Sequence, residues 1–235
     1  MKNIFRKATA AAALAAGAIA SASPSGWIST DVKNNYTGAG FGMAFGDYAV
    51  VQTDVGVNVG KGSLDVWTNY DSNLKRINEH DLTFAYPVGV KDLTAKLSGI
   101  YLTFPGTSFK DAVCAEATLS HSKLPGVSLT LDKCWSPGSG NGYSAKIAYD
   151  KSIPLSASTS LDFGLAAIAN SHLYTDATGP AVVATSIGLS KQLTKNLSIK
   201  ASARYQSPVD NGKFGNTFRT RKTFGIGFNY NFGGK

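Results

Sequence analysis

Large apolar side chains recur at every second position over long stretches of this chain, with small or polar residues between them. In 224–232, Phe224, Ile226, Phe228, Tyr230 and Phe232 alternate with Gly225, Gly227, Asn229 and Asn231. In 196–206, Leu197, Ile199, Ala201, Ala203 and Tyr205 alternate with Ser198, Lys200, Ser202, Arg204 and Gln206. In 142–152, Tyr143, Ala145, Ile147 and Tyr149 oppose Ser144, Lys146, Ala148 and Asp150. A period of two is that of a β-strand, whose successive side chains point to opposite faces. Helical periodicity is hard to find. The chain is therefore restricted to sheets with one apolar face. Alternation alone does not say whether that face meets a protein core or lipid.

Twelve strands follow from the pattern: 26–35, 49–59, 63–71, 76–87, 93–104, 111–121, 126–135, 142–152, 156–170, 180–191, 196–206 and 220–232. Most have the length a tilted strand needs to cross a bilayer. Tight connections at 61–62, 89–92, 123–126, 153–155 and 192–195 alternate with longer ones such as 35–48, 171–179 and 207–218. Short turns at one end and long loops at the other mark an up-and-down antiparallel barrel of the outer-membrane type. The segment 72–75 is a short exception among the long connections.

Aromatic placement chooses between core and lipid. Tyr70, Tyr101, Trp135, Tyr143 and Tyr205 fall near the long-loop ends, and Tyr86, Tyr149, Tyr230 and Phe232 near the short-turn ends. All share the apolar face. Two aromatic rings flanking a band of Val, Leu, Ile and Ala form the interfacial girdles of a membrane barrel. On this reading the last strand turns its five large side chains to lipid and its small polar side to a lumen. Closure against the first strand leaves no unpaired edge for hydrocarbon to reject.

The N-terminus supplies a route to such a membrane. Lys2, Arg6 and Lys7 precede the apolar run Ala8–Ala20, and Ala20-Ser21-Ala22 is a small-x-small cleavage site. This is the pattern of a secretory signal peptide over 1–22, leaving a barrel domain over 23–235. Two cysteines in an exported chain, Cys114 and Cys134, point to a disulfide. A hairpin centred near Leu124 sets them opposite one another on the polar face. The formal charge of +8 contains no Lys/Arg block, and export argues against a nucleic-acid partner.

The stretch LDVWTNYDSNLKRINEHDLTFAYPVGV (64–90), followed by LTAKLSGIYLTFPGT (93–107), resembles the TorF-like porins of Gram-negative bacteria. The shared features are a Trp-x-Asn segment, the acidic strand Glu79-His80-Asp81-Leu82 and the strand end Tyr101–Pro105. The GNGYSAKIAYD strand and the aromatic final strand follow in the same order. The cysteine pair and the tail Gly233-Gly234-Lys235 depart from the pattern, so Phe232 would act as the C-terminal aromatic signal from an internal position. The resemblance implies an outer-membrane barrel with a pore, and it carries little information on substrate.

The polar face holds the candidate functional residues. Asp65, Glu79 and Asp81 line strands three and four; Lys200, Arg204, Arg219 and Arg221 line strands eleven and twelve. Centring the last hairpin near 212 sets Arg204 opposite Arg221. An acidic wall facing a basic wall would impose a transverse field that selects and orients solutes. Lumen charges also neutralise one another in barrels that do not conduct. The three histidines stand outside any catalytic or metal-binding motif, and no cofactor or metal site is expected.

The reading is a channel for passive diffusion of small polar or ionic solutes, located in the outer membrane of a Gram-negative bacterium. Its expected partners are outer-membrane lipid, lipopolysaccharide and the barrel-assembly machinery that reads the C-terminal strand. The alternatives are a structural or adhesion barrel acting through its loops and, more remotely, a barrel-type lipid hydrolase.

Overall fold

The computed structural model describes residues 25–37, 44–136, 140–173, 175–214 and 217–233. The proposed signal peptide lies outside the described residues. The strands are β1 (Gly26–Lys33), β2 (Tyr36–Thr37), β3 (Ala44–Gly46), β4 (Val50–Val59), β5 (Gly62–Asp71), β6 (Arg76–Val90) and β7 (Leu93–Thr103). They continue with β8 (Ala112–His121), β9 (Val127–Ser136), β10 (Gly140–Ser156), β11 (Thr159–Ser171), β12 (Thr178–Gln192), β13 (Leu197–Pro208) and β14 (Arg221–Phe232). One helical turn, Asn211–Phe214, interrupts the last long connection.

Twelve of these strands pair with their chain neighbours, all antiparallel, into one closed barrel. Closure joins β1 to β14, from Gly26↔Phe232 to Lys33↔Gly225, while the other edge of β1 pairs with β4. Each strand thus satisfies its backbone donors and acceptors on both sides. This is the condition for placing sheet in hydrocarbon. The twelve predicted strands correspond to the twelve of the barrel.

The outer surface is apolar. Leu165 and Phe224 are 56% exposed and Ile226 is 61% exposed, with Ile147, Leu131, Val113 and Leu97 beside them on other strands. Eight of the nine girdle aromatics (Tyr70, Tyr86, Tyr101, Trp135, Tyr143, Tyr149, Tyr205 and Tyr230) are exposed on this outer face; Phe232 is half-buried there. A continuous apolar exterior of this extent is stable only against an apolar medium.

Two local features differ from the sequence reading, and a third, the short connection at 72–75, is as expected. The 153–155 segment is not a turn: β10 runs on to Ser156 and the turn falls at 157–158. Pro154 remains in the ladder opposite Ser160, and a register shift between Pro154 and Ser156 accommodates its missing N–H. The short exception at 72–75 is organised by Asp71, whose Oδ1 accepts from the N–H groups of Asn73 and Leu74, both at 2.8 Å. That is the Asx geometry that lets a short polar side chain build a tight turn. The last hairpin is centred later than 212, so Arg204 pairs with Thr223, and Arg221 with Gln206.

The cysteine pairing is as read. Cys114 and Cys134 are register partners joined by a disulfide on the inner wall. They are buried among Leu102, Phe104, Ala112 and Leu173. Leu173 comes from the β11–β12 connection, so that connection turns inward.

The inside-out pattern gives a direct prediction. Leu165→Arg, on the outer face in mid-strand, should destabilise the barrel in lipid vesicles by about 2–4 kcal/mol in urea unfolding. Ser128→Arg, on the inner face, should cost less than about 1 kcal/mol in the same titration. The reverse order would mean the apolar face meets protein.

Candidate functional site: a charged lumen crossed by its own loops

The lumen wall is uneven in charge. On β4, β5 and β6, Asp54, Asp65, Asp71, Glu79 and Asp81 point inward, and Glu79 and Asp71 are buried. The one cation within these strands, Arg76, sits at the rim and donates to the carbonyl of Gly106. On β13 and β14, Lys200, Arg204 and Arg221 point inward, and neither strand contains a carboxylate. Four strand steps separate β6 from β14 around the barrel by way of β5, β4 and β1. Between the two walls on the other side, Lys96, Glu116, Asp132, Lys146, Asp150 and Asp162 mix both signs. Arg219 is not on this wall. It precedes β14 in the last long connection and is exposed, and its carbonyl accepts from Gln206 Nε2 at 3.4 Å.

A ladder of amides runs across the wall from β1 to β6. Lys33 Nζ donates to Gln52 Oε1 at 2.6 Å, Gln52 to Asn69 Oδ1 at 3.1 Å, and Asn69 to Asn78 Oδ1 at 2.7 Å. Asn78 then donates to Asp71 Oδ2 at 3.2 Å. Asn78 reaches this ladder because the β5–β6 register shifts beside it, from Asn69↔Glu79 to Tyr70↔Ile77. The bulge turns both Asn78 and Glu79 inward. Chained hydrogen bonds of this kind polarise one another and hold a buried polar wall in one arrangement.

The β1–β4 connection has the length of an outer loop. It instead enters the barrel mouth, where β2 and β3 pair as a small separate sheet. Tyr36 is buried, donates its hydroxyl to Glu79 and packs 6.3 Å from the Trp67 ring. Thr37 meets Thr223 on β14, and Asp47 pairs with Arg221 at 3.0 Å. Tyr48, just before β4, is bonded to Asp71; burial and this contact push its phenol up to about 12. One hairpin is therefore tied to the acidic wall by Tyr36 and Tyr48 and to the basic wall by Asp47 and Thr37. The residues at its tip, 38–43, lie outside the described residues.

A second inward element comes from the β13–β14 connection. Phe214 and Phe218 stack edge-on at 5.4 Å and bury themselves against Ile168, Ala181 and Val182 on β11 and β12. The sequence did contain a signal for this inward packing. Phe214, Phe218 and Leu173 are apolar residues in connections that would be polar if they stood in water.

Below these elements the wall opens into a cavity of about 490 Å³ on β10–β13, faced by Asp150, Ser152, Asp162, Ser186, Lys200 and Ser202. Asp162 is saturated there. It accepts from Ser190 at 2.6 Å, Ser152 at 2.7 Å and Ser160 at 3.3 Å, and pairs with Lys200 at 3.5 Å. The histidines form no comparable site. His80 faces outward in the β6 ladder opposite Thr103, and exposed His172 contacts the hydroxyls of Ser171 and Thr178 at 3.2 Å without a carboxylate to orient it. Among the described residues no cluster of His, Cys, Asp or Glu could hold a metal ion.

No protein-family model matches the chain, and no curated protein matches it. Solved structures do. A NanC porin superposes over 87% of this chain and 98% of its own, with a TM-score of 0.55 at 9% identity. A KdgM porin solved in complex with disordered oligogalacturonate covers 88% of this chain and 99% of its own, again at 0.55 and 9%. The COG4313 outer membrane channel from Pseudomonas putida F1 covers 89% and 95%, at 0.53 and 12%. At such low identity these similarities establish the fold, a barrel of the kind built by outer-membrane porins.

The tethers of the hairpin are testable. Replacing Tyr36 and Asp47 with Ala together removes one tether at each wall, leaving Tyr48 on Asp71 and Thr37 on Thr223, and the loosened hairpin should raise single-channel conductance by a factor on the order of two. Asp47 is exposed and Arg221 largely enclosed, but neither substitution touches the closed twelve-strand ladder, so the doubly substituted barrel should still fold. Unchanged conductance in a folded variant would mean the hairpin does not limit the passage.

Proposed function

We propose that this chain is an outer-membrane diffusion channel for small polar or ionic solutes. The observation that carries the reading is a polar, charged inner wall enclosed by a continuous apolar exterior. A barrel needs the second to sit in a membrane; the first is what a passing hydrated solute needs. Twelve strands give a bore between those of side-chain-filled eight-stranded barrels and wide aqueous porins. Hydration, the width left beside the hairpin and the charged walls would set what passes.

The fold shared with solved porins supports this reading, and so does the resemblance of 64–107 to the TorF-like porins. Export by the N-terminal signal, an outer-membrane position in contact with lipid and lipopolysaccharide, and recognition of Phe232 by the assembly machinery complete it. The histidine environments give no support to a hydrolase. Pore-lining roles fall to Asp65, Glu79, Asp81, Lys200, Arg204 and Arg221.

A second reading, a barrel that folds but does not conduct, draws on the same inward connections. Phe214, Phe218 and Leu173 fill space that an open pore would leave to water. The loops thereby give up length that an adhesion surface would display.

Reversal potentials in a planar bilayer under a KCl gradient distinguish these. Carboxylates outnumber cations on the inner wall, so the wild-type channel should prefer K⁺ modestly. Arg204→Glu with Arg221→Glu should move the reversal potential further toward K⁺, and Glu79→Gln with Asp81→Asn away from it. Potentials that do not move would remove the charged walls from the account, and folded protein that never passes current would establish the second reading.

A further inference from the structure

One row of register partners on the inner wall carries opposite charges at its ends and almost nothing between. Asp150 on β10 pairs with Gly164 on β11, Gly164 with Ser186 on β12, and Ser186 with Arg204 on β13. All four point into the lumen at one height. Three strand spacings of about 4.8 Å each separate the end residues along the curved wall. The row beneath is equally slight: Ser152, Asp162, Gly188 and Ser202 are successive partners. From the two rows Asp150, Ser186, Ser152, Asp162, Gly188 and Ser202 face the 490 Å³ cavity, and Arg204 adjoins it as the register partner of Ser186.

The glycines are what keep these rows open. A Cβ on Gly164 would stand against the Ser186 hydroxyl and 2.8 Å from Asp150 Oδ1. A Cβ on Gly188 would stand 2.8 Å from Lys200 Cε, displacing the lysine that neutralises Asp162. Glycine in mid-strand weakens a sheet, and its use here marks close approach of another group.

The charges at the two ends have no contact partner among the described residues. Among the described residues Arg204 forms no ion pair, and its Nε and Nη2 make no hydrogen bond. Asp150 is exposed to the lumen, and no side chain donates to it among the described residues. The two stand at opposite ends of one register row with no ion pair between them. By contrast Asp162, Lys200, Asp47 and Arg221 are each matched. A low-dielectric wall makes an unmatched charge costly, and a counter-charge that arrives from the lumen recovers part of that cost.

The geometry points to a binding site for small zwitterionic solutes of the amino-acid class, with the solute carboxylate on Arg204 and its ammonium on Asp150. Gly164 and Ser186 lie beneath the backbone of the solute. Its side chain extends toward Ala166 and Ala184, the next row of partners above. The wall encloses Nε and Nη2 of Arg204, so the solute carboxylate meets the guanidinium at Nη1 in a charge-assisted hydrogen bond. A neutral solute would leave both charges unmatched, and a simple anion would leave Asp150 unmatched and repelled. The site deepens the channel reading by naming a solute class for it.

Ligand-observed NMR on the protein in detergent micelles tests the site whether or not the barrel conducts. The probes are L-glutamine, glutaramate (which lacks the ammonium) and 4-aminobutanamide (which lacks the carboxylate). Wild-type protein should bind glutamine at least about tenfold more tightly than either half-charged analogue, the loss of roughly one charge-assisted contact. Asp150→Asn should abolish the preference over glutaramate, and Arg204→Gln the preference over 4-aminobutanamide. Gly164→Ala, which changes no charge, should weaken all three; heat-modifiable mobility on gels checks that each variant folds. Equal binding of glutamine and glutaramate by wild type would reduce the site to an anion contact and overturn the proposal. So would absence of glutamine binding in folded wild-type protein. A barrel that binds glutamine yet passes no current would overturn the channel reading alone, and one that conducts without binding it would overturn the site alone.

Discussion

Everything in this structure depends on the closure of β1 against β14. A sheet whose outer face is Phe, Ile, Leu and Val has its stable place in hydrocarbon, and hydrocarbon offers no partner to a free strand edge. Eight register pairs from Gly26↔Phe232 to Lys33↔Gly225 remove that edge. The closing strand also explains its own composition. Phe224, Ile226 and Phe228 face outward, while Gly225 and Gly227 leave room on the inner face for Lys33 and Asp31, which a Cβ at either glycine would crowd. Closure and small inner residues are thus coupled at the seam.

Once the barrel is closed, its interior must be either watered or filled, and this chain does both by height. The upper part is filled by connections folded back from the rim. The β1–β4 hairpin spans from Glu79 to Arg221, Phe214 and Phe218 cover Ile168 and Val182, and Leu173 covers the disulfide. The β10–β13 side below them is left open, faced by serines, glycines and a few charges. The hairpin takes up Glu79 and Arg221, the very residues that sequence reasoning assigned to bare facing walls. Asp150 and Arg204, lower on the wall, form no ion pair among the described residues.

The sequence made the barrel legible because two-residue alternation is a property of each strand separately and needs no knowledge of partners. Cys114 and Cys134 were legible for a related reason: a tight turn fixes register, and register fixes which residues meet. Register failed where the turn was long. The β13–β14 connection contains a helical turn that no local signal located, so Arg204 was set opposite Arg221 when it pairs with Thr223. Pro154 misled in the opposite sense, because a bulge lets it stay inside β10. The inward path of 35–48 is decided by contacts with residues far along the chain, Glu79 and Arg221, and alternation cannot report those. The row Asp150–Gly164–Ser186–Arg204 needs four strands in register at once, so it emerges only from the assembled barrel.

The central claim is that one set of alternate residues faces lipid and the other an aqueous lumen. Nitroxide labels placed one at a time along β13, from Leu197 to Gln206, measure it directly in reconstituted vesicles. Collision rates with oxygen, which partitions into lipid, should peak at 197, 199, 201, 203 and 205. Collision rates with a water-soluble nickel chelate should peak at 198, 200 and 202, opposite in phase. An alternation of reversed phase, or none, would contradict the account, because the apolar face would then be packed against protein and the barrel would not be a membrane channel.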